Sequence, residues 1–214
     1  MRRIVHISGL HFGRLAPAVL APLRECVRRL EPSVVVVAGD ITAGARTREF
    51  REARAFLDTL PGPQIVVPGL RDVSSDGLMG RFSPALARFR KLVTADAEPE
   101  YADEVVAVIG VSPPVPAGAT NGSEELMLRV RSRIHSLDSR VVKIAVAQGT
   151  LGECGADMTL TGSETLVLDE LRVTPGAVII DHWSWNAHSR RFERSGTETR
   201  TLGQGRETNS LPRT

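Results

Sequence analysis

Short apolar runs alternate with amphipathic segments through the first third of the chain. The runs Ile4–Ile7, Val34–Ala38 and Gln64–Val67 are rich in β-branched residues and end at Gly, Pro or Asp, as strands commonly do. The segments 17–30 and 46–60 carry apolar residues at helical spacing. A continuous apolar run is typical of a parallel strand covered on both faces. The pattern therefore predicts an α/β core.

The pattern continues less regularly in the second half. It predicts helices at 83–93 and 124–137, and strands at 105–111, 141–147 and 158–160. A final meander of antiparallel strands is predicted at 165–173, 177–185 and 191–194. Residues 195–214 are polar and lack apolar periodicity. We therefore expect one domain over residues 1–194, followed by a flexible C-terminal tail over 195–214.

Charge and cysteine content exclude several classes of protein. The 27 basic and 25 acidic residues are spread along the chain, so no concentrated field indicates nucleic-acid binding. The two cysteines lack metal-knuckle or disulfide-framework spacing. No apolar stretch approaches the roughly 18 residues of a membrane span, and the N-terminus lacks the apolar segment of a signal peptide. We expect a cytoplasmic protein without membrane association.

Polar and glycine-rich loops follow the predicted strands, where an open α/β sheet places its functional groups. In chain order they read HISGLHFG from His6, AGDIT from Ala38, VPGLRD from Val67, AQGT from Ala147 and TGSET from Thr161. This series resembles the five motifs of calcineurin-like metallophosphoesterases, most closely the cyclic-nucleotide phosphodiesterase branch. The resemblance covers residues 1–194. It implies a four-layer αββα sandwich, in which helices flank two mixed sheets.

The chain departs from the family pattern at most of the metal-binding positions. The family has D-x-H, GD, GNHD, a strand ending in His, and GHxH. The first Asp becomes Gly9, whereas His11 and Asp40 keep the ligand types of the family. The other former active-site positions hold Leu70 for Asn, Arg71 for His, the retained Asp72, Gln148 for the strand-end His, and Ser163 and Thr165 for the two final histidines.

These replacements leave too few donors for a two-metal centre. Such a centre holds two cations about 3.5–4 Å apart and uses them to generate hydroxide. Even one catalytic ion ordinarily needs three protein ligands. We therefore expect no metal and no other cofactor, with His11 and Asp40 as vestigial ligands. We expect the Arg71 guanidinium to occupy part of the vacated space and to pair with Asp40 or Asp72.

The resulting hypothesis is a catalytically inactive relative that serves as a protein-interaction or scaffold module. The same fold has non-catalytic roles in small subunits of replicative DNA polymerases and in a retromer scaffold subunit. The candidate partner surface is formed by Leu70, Trp183 and Trp185, although core packing is the favoured role for the two tryptophans. One alternative is an active phosphoesterase that uses two divalent metals such as Mn or Fe in a rebuilt or partner-completed site. Another alternative is a nucleotide-binding sensor.

Overall fold

The computed structural model describes residues 1–73, 83–113, 122–148, 151 and 154–202. Within these residues the chain forms five helices and ten strands. The helices are α1 (Pro17–Arg29), α2 (Thr47–Leu57), α3 (Leu70–Val73), α4 (Pro84–Leu92) and α5 (Gly122–His135). The strands are β1 (Arg2–Ser8), β2 (Val34–Ala38), β3 (Gln64–Val66), β4 (Glu100–Ala102), β5 (Val106–Val111), β6 (Val142–Ala147), β7 (Met158–Thr161), β8 (Val167–Thr174), β9 (Ala177–Asn186) and β10 (Arg191–Thr201).

The helix starts follow from local sequence. Pro17 and Pro84 stand in the first turn of α1 and α4, where the fixed φ of proline suits a helix and its missing N–H is not needed. Ser83 caps α4, since its hydroxyl accepts hydrogen bonds from the N–H groups of Ala85 and Leu86 at 3.2 and 3.5 Å. The two prolines and the capping serine thus determine where α1 and α4 begin.

Two stacked sheets form the centre of the molecule. The larger sheet has the strand order β10-β9-β8-β1-β2-β3, and the smaller one has the order β4-β5-β6-β7. Strands β1, β2 and β3 are mutually parallel, as are β5, β6 and β7, whereas β8, β9, β10 and β4 pair antiparallel with their neighbours. Both sheets are therefore mixed.

Three apolar layers hold the sandwich together. One lies between the two sheets and includes Ile4, Val36 and Val108. The second packs the outer face of the larger sheet against α1, α2 and α4, and the third packs α5 on the smaller sheet. The alternation of side chains along β1 assigns Ile4 to the layer between the sheets, and Val5 and Ile7 to the helix-covered layer. The four-layer αββα sandwich expected from the sequence is confirmed.

The predicted boundary at residue 194 is wrong. Strand β10 continues to Thr201 and pairs with β9 along its whole length, with a bulge between Arg194 and Gly196. The start of this strand was predicted at 191–194, but its continuation was not, because β10 is an edge strand with mostly exposed side chains and lacks an apolar face. The domain extends at least to Leu202, and the remainder of the predicted tail, residues 203–214, lies outside the described residues. No helix in the described part of the chain is long and apolar enough to cross a membrane.

Candidate functional site

The loops singled out from the sequence meet at one edge of the sandwich. Strands β1, β2 and β3 are parallel, so their carboxyl ends lie side by side. The loop that follows β7 closes over them, since the Ser163 N–H donates to Ser8 Oγ at 2.6 Å. His11 Nε2 also lies 3.1 Å from the backbone oxygen of Glu164. The fold thus assembles the loops after β1, β2, β3 and β7 into one cleft, and Gln148 at the end of β6 reaches the same place, since a Cβ on Gly39 would lie 3.0 Å from its Oε1.

A three-residue ionic cluster occupies the centre of this cleft. The Arg71 N–H donates to Asp40 Oδ1 at 3.0 Å, and Arg71 Nε donates to Asp40 Oδ2 at 2.9 Å. The same guanidinium reaches Glu164 Oε2 at 3.4 Å. The Asp40 side chain is only 4% exposed, so the fixed positive charge of Arg71 compensates a carboxylate that would be costly to bury alone. The structure pairs Arg71 with Asp40 rather than with Asp72.

Asp72 fastens the neighbouring loops instead. Its two carboxylate oxygens accept hydrogen bonds from the N–H groups of Ile41, Thr42 and Gly69 and from the Thr42 hydroxyl, at 2.6–2.9 Å. The side chain is fully buried. Burial raises the pKa of Asp72 to about 6, against the lowering effect of these hydrogen bonds. Asp72 therefore has a structural role in joining the loops after β2 and β3.

Backbone fills the position at which the family carries its first aspartate. A Cβ placed on Gly9 would lie 2.1 Å from the Thr165 backbone oxygen, and Gly9 has a φ of +68°, a region that favours glycine. A Cβ on Gly162 would lie 1.9 Å from Gln148 Oε1. The loops therefore close against each other through glycines, and no side chain at position 9 could point into the cleft without displacing them.

The donors that remain do not fit a two-metal centre. Among the described residues, the metal-binding side chains form a single close group, His11, Asp40 and Glu164, with ligand atoms within 4.8 Å of one another. The guanidinium of Arg71 already binds both carboxylates of that group. Gln148 Oε1 is buried without a hydrogen-bond partner among the described residues and lies against Gly162 and Gly39. Three donors around a resident cation cannot hold two further cations.

The other predicted positions lie at the rim or within the core. Leu70 begins α3 and is 40% exposed, whereas the side chains of Ser163 and Thr165 contact each other at 3.4 Å in the closing loop. Trp183 and Trp185 share one face of β9, as predicted, and both are half-buried against the helix-covered core. The Arg29 guanidinium lies 5.5 Å from the Trp183 ring centroid. Their position agrees with the packing role that the sequence favoured.

Sequence reasoning missed one polar arrangement and undervalued one residue. Glu164 lies in the fifth motif loop, and its position beside Arg71 follows from that loop closing over β1. The missed arrangement is a row of three residues: Asp169 on β8 pairs with His6 on β1, and His182 on β9 pairs with Asp169. The available signal was an ionisable residue that follows apolar residues on the same face of a strand, as His6 follows Ile4 and His182 follows Ile180.

Comparison with known proteins identifies the fold of the chain but not its activity. No protein-family model matches the sequence, and no curated protein matches it. Among solved structures, GAP50, described as the anchor in the inner membrane complex of Plasmodium, superposes with a TM-score of 0.64 at 11% identity, covering 95% of this chain and 90% of that chain. Vps29 of Chaetomium thermophilum superposes with a TM-score of 0.51 at 11% identity, covering 95% and 100%.

The fold is that of the calcineurin-like phosphoesterases. At 11% identity these likenesses concern the phosphoesterase fold alone, because one fold carries many functions. The activity of this chain therefore depends on the side chains in the cleft, which the fold does not determine.

Proposed function

We propose that the chain is a non-catalytic protein of phosphoesterase fold that acts by binding a protein partner. The observation that carries the proposal is the guanidinium of Arg71, which bridges Asp40 and Glu164 in the centre of the cleft. A permanent cation there occupies the space between the carboxylates that a metal ion would need. Closure of the loops onto Gly9 supports the same conclusion.

The chemistry of phosphoester hydrolysis argues in the same direction. A two-metal phosphoesterase centre generates hydroxide at neutral pH because its bound metal lowers the pKa of water. Arg71 cannot replace the histidine of the family motif as a general acid, because a guanidinium does not release its proton near neutral pH. Arg71 therefore supplies a fixed positive charge, and the imidazole of His11, the ligand type kept from the family motif, already contacts the backbone oxygen of Glu164 through Nε2.

A binding role is supported by the rim of the cleft and by precedent. Leu70 exposes 40% of its surface beside the ionic cluster, which suits an apolar contact with a protein better than a phosphate. GAP50, which shares the fold, is described as an anchor. On this proposal the protein is cytoplasmic, binds its partner through the surface around Leu70, and needs no cofactor.

The catalytic part of the proposal is tested with an Arg71→Met variant. Isothermal titration with Mn²⁺ and hydrolysis of a chromogenic phosphodiester are measured for the wild type, for Arg71→Met, and for Arg48→Met as a control at an exposed site. The wild type and the control should show neither saturable binding nor turnover. The Arg71 variant should gain at most one weak site, formed by His11, Asp40 and Glu164, and no turnover. Two bound equivalents with turnover in the wild type would contradict the proposal.

The binding part is tested with a matched pair of leucines. Leu70 and Leu128 are both exposed, at 40% and 60%, on different parts of the surface. A partner captured by the wild type should be lost with Leu70→Ser and kept with Leu128→Ser. If both variants retain the partner equally, the surface around Leu70 does not bind it and the partner site lies elsewhere.

A further inference from the structure

A row of three ionisable side chains crosses the larger sheet on its inner face, apart from the Arg71 cluster. His6, Asp169 and His182 are direct neighbours on β1, β8 and β9. His182 Nδ1 lies 2.8 Å from Asp169 Oδ1, and His6 Nδ1 lies 3.6 Å from Asp169 Oδ2. Exposure of the side chains rises along the row, from 5% for His6 to 16% for Asp169 and 43% for His182. The row therefore leads from the interior to the surface.

The central carboxylate determines how both imidazoles can bond. Burial raises the pKa of Asp169, but the contacts with His6 and His182 lower it by more, so the pKa lies below its ordinary value. Asp169 lies at hydrogen-bond distance from Nδ1 of His182, at 2.8 Å, whereas Nδ1 of His6, at 3.6 Å, is too far for a hydrogen bond. Both ring nitrogens of His6 are buried and have no hydrogen-bond partner within the described residues. One ring nitrogen of a neutral imidazole is an acceptor, so in that form His6 lacks the donor that a buried acceptor requires.

A cavity of about 320 Å³ opens in front of this row. One wall is the inner face of β1, β8, β9 and β10, and the other is β7 with the loop that follows it. Threonine and serine hydroxyls line the β7 side, and the acidic groups are Asp169 and Glu198. Glu198 is already paired with Arg200 at 2.8 Å. The volume falls at the lower end of the range of small-molecule sites.

The electrostatic balance of the cavity favours a cation. Because Glu198 and Arg200 are paired with each other, Asp169 is the remaining carboxylate that lines the cavity. Within the described chain, the three side chains do not form a close metal-binding group.

We propose that this cavity binds a small organic cation, with an ammonium or guanidinium group that donates hydrogen bonds to Asp169 and to the acceptor ring nitrogen of His6. The cation balances the buried charge and supplies the donor that His6 lacks. This site is independent of the proposed function, because it shares neither Arg71 nor Leu70 with it.

Three probes of similar length test the proposal. Diaminobutane, butanediol and succinate carry positive, neutral and negative ends, and each is titrated into the full-length protein while the imidazole C–H resonances of His6 and His182 are followed by NMR. Diaminobutane should shift both resonances saturably, and the other two should not. Equal shifts with butanediol, a preference for succinate, or no saturable shift with diaminobutane would each overturn the proposal.

A variant that removes the charge of Asp169, at the centre of the row, provides a second test. Asp169→Asn keeps the size of the side chain and should weaken diaminobutane binding by at least about tenfold, as expected for loss of a hydrogen bond to a charged group. Glu25→Gln, an exposed neutralisation on α1, should leave the affinity unchanged. Unchanged affinity in a folded Asp169→Asn protein would overturn the proposal. If that variant does not fold, the three wild-type titrations decide.

Discussion

Restoring the family aspartate at position 9 should damage the fold and should not restore a metal site. In the structure, the Cβ of Gly9→Asp would lie 2.1 Å from the Thr165 oxygen and 2.4 Å from its carbonyl carbon. Both atoms belong to backbone, so the clash cannot be relieved by turning a flexible side chain. The φ of +68° at this position adds strain for any residue with a Cβ.

The loss of folding free energy follows from these contacts. The left-handed backbone costs an aspartate about 1 kcal/mol. Moving the Thr165 segment by roughly 1 Å to reach ordinary contact would break the Ser163–Ser8 hydrogen bond and the His11–Glu164 contact, at about 1 kcal/mol each. The sum is about 3 kcal/mol. In a chain of this size such a loss lowers the melting temperature by roughly 6–12 °C.

Thermal and urea unfolding measure this loss, and Gly176→Asp is the control. Gly176 lies in the turn between β8 and β9, and a Cβ there would meet no heavy atom within 4 Å. The control should change stability by less than about 0.5 kcal/mol. A Gly9→Asp protein that unfolds at the wild-type temperature, or that gains tight Mn²⁺ binding, would refute the inference that the cleft is closed at this position.

Two further predictions concern pH. Because the pKa of Asp72 is raised from 3.8 to about 6 in the fold, wild-type stability should fall relative to Asp72→Asn by about 2 kcal/mol as pH rises from 4 to 7. Urea midpoints that differ by a constant amount across this range would disprove it. Burial opposes ionisation of Asp103, but hydrogen bonds from Arg2, Val105, Val106 and Tyr101 lower its pKa to about 2, so its stabilising contribution should be present above pH 4 and lost between pH 4 and 2. Acid unfolding of Asp103→Asn should therefore start from a lower stability at pH 5 and converge with the wild type near pH 2.

The strands and helices of the core were largely predictable, because buried strands appear in the sequence as apolar runs and buried helix faces as apolar residues at helical spacing. Val34–Ala38 is buried at every residue, and its predicted and observed bounds agree. Strand β4 and the second half of β10 were not predictable in this way. Strand β4 has only three residues with a mostly exposed pattern, and β10 is an edge strand whose polar side chains face solvent. Their pairing is decided by a neighbouring strand that local sequence does not reveal.

The candidate site was predictable at the level of its loops, because motif spacing places them after strands. The pairing of Arg71 with Asp40 rather than Asp72 was not, since it depends on Asp72 being taken up by the N–H groups of the neighbouring loops. The row of His6, Asp169 and His182 was also missed. Its members are far apart in sequence and meet only through the register of β1, β8 and β9.

The metal content of the wild-type protein, measured together with phosphodiester turnover, tests the central claim most directly. Elemental analysis after purification without chelators should find less than stoichiometric Mn, Fe and Zn, and chromogenic phosphodiesters should not be cleaved when Mn²⁺ is added. The reason is that Arg71 holds the carboxylates of Asp40 and Glu164. Two stoichiometric metal ions per chain, with cleavage that stops on chelation, would contradict the account.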